Sequence, residues 1–151
     1  NMRTQIKSHL ELINRSIGGE PLYIHTPSKQ DRLKKIKTKG KGNINSKVVF
    51  ISYCEDTKES DALFDKILSA LKLTREAVWI TREHEQLDKE INIINPKVVC
   101  CMSERRDVIY NVPTNIKFIS TYHPSVLLKD ENLKKEAWLD LQNISNMGQR
   151  P

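Results

Sequence analysis

A chain of 151 residues and 17.5 kDa, 38% hydrophobic and 29% charged, has the size of one domain and enough apolar side chains for a core. Its longest apolar run, from Val98 to Met102, is far short of the ~20 residues a bilayer span needs, and five glycines and six prolines exclude a repeat or low-complexity protein. The net charge of +6 is local: residues 29–47 carry eight cations and one acid, whereas residues 48–151 sum to −2. Such a block reads as a solvated arm or as a surface that neutralises phosphates. Three cysteines, with Cys100 and Cys101 adjacent, make no disulfide framework and fall short of a four-cysteine iron–sulfur cluster. The N-terminal stretch alternates polar and apolar residues, so the expectation is no secretory signal and a reducing cytoplasm.

In chain order, Met2, Ile6, Leu10 and Ile13 follow a helical stripe that Gly18-Gly19 ends. Residues 20–46, with Pro21, Pro27, Gly40 and Gly42 among lysines, read as an irregular, mobile connection. A regular alternation then begins. Lys47–Tyr53 reads as a strand. Ser60–Leu71 reads as a helix through Leu63, Phe64, Ile67, Leu68 and Leu71, with Asp56 and Glu59 as a capping box. Ala77–Thr81 reads as a strand, Gln86–Asn95 as a helix that Pro96 stops, and Lys97–Met102 as a strand. Ser103–Tyr110 reads as a short helix and Ile116–Thr121 as a strand. Asp130 then caps a last helix carrying Leu133, Ala137, Leu141 and Ile144.

Strands and helices in this alternation predict a three-layer α/β/α domain over residues 47–151 with a four-stranded parallel sheet, preceded by a helical and basic extension over 1–46. Function in such sheets sits beyond the carboxyl ends of the strands. That places Tyr53, Cys54, Tyr122 and Pro124 in the crevice, with Glu55, Asp56 and His123 as candidate acid/base groups. Helix capping and a structural turn are the plainer readings of those three. Arg82-Glu83-His84-Glu85 follows the second strand; His84 has no partners at metal-ligand spacing, so neither a metal nor another cofactor is expected. Arg105-Arg106 reads as a solvated pair or a phosphate contact.

The most specific segment is Thr121-Tyr122-His123-Pro124-Ser125-Val126-Leu127-Leu128, followed by Leu133-Lys134-Lys135-Glu136-Ala137-Trp138-Leu139-Asp140-Leu141. It resembles the second motif of the uracil-DNA glycosylase superfamily, in which a strand ends in T-Y-H-P-S and a helix of the type L-K-x-x-x-W-x-D-L packs behind. Asn95-Pro96-Lys97-Val98-Val99 is similar to its third strand, and about 95 residues can be laid on the family. The resemblance implies flipping of a nucleotide into a pocket. There His123 would stabilise the departing uracil anion, Glu55 or Asp56 would orient water, and Ser125, Val126, Leu127 and Leu128 would face DNA. The family's first motif is glycine-rich, whereas here it is Ser52-Tyr53-Cys54-Glu55-Asp56, with Tyr53 at the water-positioning place. The uracil-stacking Phe and the uracil-reading Asn are also missing; Thr81-Arg82-Glu83-His84 stands where the Asn belongs.

A second resemblance, within the same fold, is to the psi-subunit family of the bacterial DNA polymerase III clamp loader, a catalytically dead branch. It rests on Leu68-Ser69-Ala70-Leu71-Lys72-Leu73 and Val78-Trp79-Ile80-Thr81. It implies a non-catalytic module in DNA replication or repair with a protein partner; the other expectation is a divergent glycosylase acting through His123. DNA contact is expected through Lys34, Lys35, Lys37, Lys39 and Lys41 and through the His-Pro-Ser loop, with no membrane association. A crevice filled by side chains such as Tyr53 is expected for the module, and an open one-pyrimidine pocket beside His123 for the enzyme.

Overall fold

In the computed structural model, which describes residues 26–149, the elements follow in the order α1 (Lys29–Lys35), β1 (Lys41–Gly42), β2 (Val48–Ser52), α2 (Lys58–Ala70), β3 (Trp79–Arg82), α3 (Leu87–Ile94), β4 (Val98–Ser103), β5 (Lys117–Tyr122), α4 (Pro124–Lys129), a 3₁₀ turn (Glu131–Leu133) and α5 (Lys134–Gln149). The expected helix through Met2–Ile13 lies outside the described residues. Among the described residues no helix is long and apolar enough to cross a membrane.

The sheet order is β1-β3-β2-β4-β5. β3, β2, β4 and β5 pair in parallel, while β1 pairs antiparallel with β3 through Lys41 opposite Ile80 and Gly42 opposite Trp79. The sheet is therefore mixed and five-stranded, not the four-stranded parallel sheet expected. The extra strand comes from the basic segment, which blunts an otherwise open edge. β2 and β4 are buried at every position because helices cover both faces, as their continuous apolar sequences require. Val48, Phe50, Val98, Cys100 and Met102 meet Phe64 and Leu68 of α2 and Leu141 and Ile144 of α5. Val49, Ile51 and Val99, on the opposite face by strand alternation, meet Leu33 of α1 and Leu87, Ile91 and Ile94 of α3. Phe50 and Phe64 lock edge to face at 5.2 Å and 80°.

Caps decide where helices begin, and they differ from the sequence reading. The capping box of α2 is Thr57 with Ser60, not Asp56 with Glu59: the Thr57 hydroxyl accepts the Ser60 N–H at 3.0 Å, and the Ser60 hydroxyl accepts the Thr57 N–H at 2.7 Å. Asp130 caps the 3₁₀ turn by accepting the Asn132 N–H at 3.1 Å, and does not start α5 directly. Residues 104–113 form no helix. Ser103 turns the chain locally by bonding the Arg105 N–H and C=O, and Tyr110 and Val112 pack back on the α1/α3 face in an irregular run.

The connection expected to be irregular is built into the domain from Ser28 onward. Ser28 caps α1 by accepting the Asp31 N–H, and Leu33, 3% exposed, inserts into the core. Gly40 packs against the Trp79 indole where a Cβ would stand 2.4 Å from ring carbons. Gly42, at φ +120°, leaves no room beside the Val78 carbonyl.

Candidate functional site

Beyond the carboxyl ends of the parallel strands, on the α2/α5 face, side chains from four segments converge on His123. The register sets this up: Ser52 of β2 lies opposite Arg82 of β3 and Met102 of β4, and Ser103 lies opposite Tyr122 of β5. His123, the first residue past β5, therefore crosses the end of β4 to reach β2. Its Nδ1 accepts the Ser125 N–H at 3.0 Å and lies 2.8 Å from the Ser125 hydroxyl. That acceptor role leaves the ring proton on Nε2, which sits 3.0 Å from both Asp56 Oδ1 and the Ser52 hydroxyl. Arg82 closes the set, donating to Asp56 Oδ2 at 2.9 Å and to the Cys54 carbonyl at 2.7 Å.

The imidazole is 1% exposed, so both nitrogens are spent on the protein itself. Burial lowers its pKa below the usual histidine value, although Asp56 pulls the other way. A second proton, on Nδ1, would point at the Ser125 N–H and break the cap of α4. The histidine is thus a neutral N-cap (Pro124 takes the first helical position) and a donor to a carboxylate.

Several predicted residues are placed otherwise than expected. Ser125, Val126, Leu127 and Leu128 form α4, not a loop. Leu127 is 3% exposed and faces inward against DNA contact, while Leu128 is exposed. Pro124 is buried. Tyr53 does not fill the space beside His123, because alternation sends it to the other face, where it packs with the α1/α3 cluster; burial raises its pKa. Tyr122 is half-buried at the end of β5. Burial raises the Cys54 thiol, which leaves it a poor nucleophile. Glu55 is exposed and stands outside the network, so of the two carboxylates only Asp56 reaches His123. Arg105 pairs with Asp107 and Arg106 with Asp140, both arginines remaining exposed. Among the described residues no cluster of three or more His, Cys, Asp or Glu is placed to hold a metal.

An open groove of about 490 Å³ runs beside Asp56 and Arg82, walled by Lys39, Lys41 and Arg75; His123 does not line it. The lysines belong to the second feature of the site. Lys34, Lys35, Lys37, Lys39 and Lys41 are all exposed, on α1, β1 and the turn between them. Beneath them lies Glu90 of α3, 1% exposed. Its Oε2 accepts the Trp79 Nε1–H at 2.8 Å. Its Oε1 accepts from Thr38 and from His84 Nε2 at 2.7 Å, and the Thr38 hydroxyl in turn accepts the Gly40 N–H at 2.9 Å. His84 repeats the wiring of His123: Nδ1 takes the Gln86 N–H and Nε2 serves a carboxylate.

Arg82 falls in the segment that the sequence places after the second strand, whereas Ser52, Thr38 and Glu90 carry no role in the sequence reading. Glu90 had a signal, since it falls within the apolar stripe Leu87, Ile91, Ile94, where a lone charge calls for buried partners. Compared with known proteins, the chain matches no family model and no curated protein sequence.

Proposed function

We propose that this chain is a non-catalytic α/β/α module of the uracil-DNA glycosylase type that binds nucleic acid through its lysine face, in an assembly of DNA replication or repair. The observation that carries this reading is the state of His123. A glycosylase histidine of that motif must present a ring N–H to a base. Here Nε2–H is engaged by Asp56 and Ser52, Nδ1 caps α4, and the ring is shut from solvent. Asp56, which the resemblance offers alongside Glu55 as the group that orients water, is held by His123 and Arg82 instead. The glycine-poor first motif and the missing stacking and reading residues agree.

The positive half of the reading rests on charge and order together. Five exposed lysines are carried by a folded segment, and together they supply a sequence-independent footprint for phosphates. A protein partner of the clamp-loader psi type fits the same picture, and three free cysteines suit a reducing cytoplasm. The test is fluorescence anisotropy of labelled duplex and single-stranded DNA over a salt series, paired with base release from uracil-containing strands. Binding that weakens steeply with salt, without base release, supports the reading. Release that vanishes in His123→Ala replaces it with a divergent glycosylase, and salt-insensitive or absent binding removes the nucleic-acid partner.

A further inference from the structure

The buried Glu90 carboxylate touches no solvent and none of the five lysines, yet it ties together three pieces of chain: Thr38 from the basic segment, Trp79 from β3 and His84 from the loop after it. A buried carboxylate is retained only where donors satisfy it, and here every donor comes from the protein. Thr38 is the link that matters. Its hydroxyl donates to Glu90 and accepts the Gly40 N–H, so the turn between α1 and β1 is fixed from below. Gly40 lies flat on the Trp79 ring that Glu90 also holds, with no room for a Cβ. The segment would otherwise be a lysine-rich run held by Leu33 at one end and a two-residue strand at the other.

We infer that Glu90 is a positioning residue for nucleic-acid binding: an anion that strengthens the grip on an anion, by clamping the lysine segment in its binding arrangement before the ligand arrives. This rests on the nucleic-acid reading above and adds to it the device that orders the interface. The physical ground is that a disordered basic arm must lose backbone freedom when it binds, whereas a clamped one has lost it on folding. The sign of the effect is opposite to that of simple charge. Removing Glu90 raises the net charge by one, which long-range attraction alone would turn into tighter binding.

The experiment compares the full chain with Glu90→Gln, Thr38→Val and Gly40→Ala by anisotropy on a short labelled DNA duplex across a salt series. Glu90→Gln places an amide donor against at least one of the Thr38, Trp79 and His84 donors. Thr38→Val changes no charge and leaves the Trp79 and His84 bonds in place, which keeps the test open if Glu90→Gln folds poorly. Gly40→Ala lifts the turn from Trp79. The expected result is a loss of about tenfold in affinity in each variant at an unchanged slope of log K against log salt, because the same phosphates are neutralised after an added ordering cost. Faster amide exchange at Gly40 in the unbound variants should accompany it. Variants that bind as tightly as the native chain, or Glu90→Gln binding more tightly, would overturn the clamp while leaving the nucleic-acid reading intact. A native chain without salt-sensitive binding would overturn both.

Discussion

Replacing His123 by Asn separates two tasks that the imidazole performs at once. Nδ1 accepts the Ser125 N–H at 3.0 Å to cap α4, and Nε2 donates to Asp56 at 3.0 Å. An asparagine oxygen is among the best N-cap acceptors, so the cap survives; the shorter side chain gives up the Asp56 bond, at a cost of about 1 kcal/mol near neutral pH. The larger consequence is in the pH profile. Burial holds the folded pKa of His123 below its ordinary value, while in the unfolded chain the ring titrates near about 6.5. Above that value both states are neutral and pH has no leverage. Below it the unfolded chain takes up a proton that the folded chain refuses, so stability falls as the pH drops toward the folded value. One proton bound only by the unfolded state costs about 1.4 kcal/mol per pH unit, which sets an upper limit of about 1.4 kcal/mol lost at pH 5.5 relative to pH 7.5. Asn binds no proton, so the variant should lack this component. Urea unfolding followed by tryptophan fluorescence at pH 7.5, 6.5 and 5.5 measures the difference, with equal m-values as the control. A native chain equally stable at pH 7.5 and 5.5, or a variant that falls just as steeply, would refute the buried, neutral N-cap.

Two further outcomes follow from packing and backbone geometry. Phe64→Ala empties the edge-to-face contact with Phe50 at a site 4% exposed, and should cost about 3–5 kcal/mol in urea unfolding. Lys37 follows the C-cap of α1 at φ 52°, a left-handed position that glycine takes without strain. Lys37→Gly should therefore stabilise the fold by up to about 1 kcal/mol, yet weaken DNA binding and flatten its salt slope by about 0.9 as one phosphate contact is lost.

The alternation of β2 to β5 with helices was legible because continuous apolar runs and 3.6-residue stripes leave few other assignments. What escaped reading was whatever depends on a distant partner. Lys41-Gly42 has no strand pattern of its own and becomes β1 because the edge of β3 offers unpaired backbone groups. α1 holds one buried apolar residue, Leu33, and is seated by tertiary contact, including a bond from Lys29 to the Ile94 carbonyl. α4 begins on a histidine cap, a residue type that side-chain preferences do not flag, so its helix was read as a loop. His123 and Asp56 were both named as candidates from their places after strands. Arg82 also stands in a segment after a strand, but its meeting with Ser52 and Asp56 depends on the register that sets Ser52 opposite Arg82, and pattern alone does not give register. Tyr53 was assigned to the wrong side of the crevice for the same reason: one residue's step along a strand exchanges the faces.

One measurement reaches the central claim directly: a labelled duplex containing a single uracil is titrated with the native chain, and the same sample is then treated with alkali to cut any abasic site. The account predicts saturable anisotropy that disappears as salt rises, with strand breakage no greater than in buffer. Breakage that grows with protein concentration and is abolished by His123→Ala would contradict it.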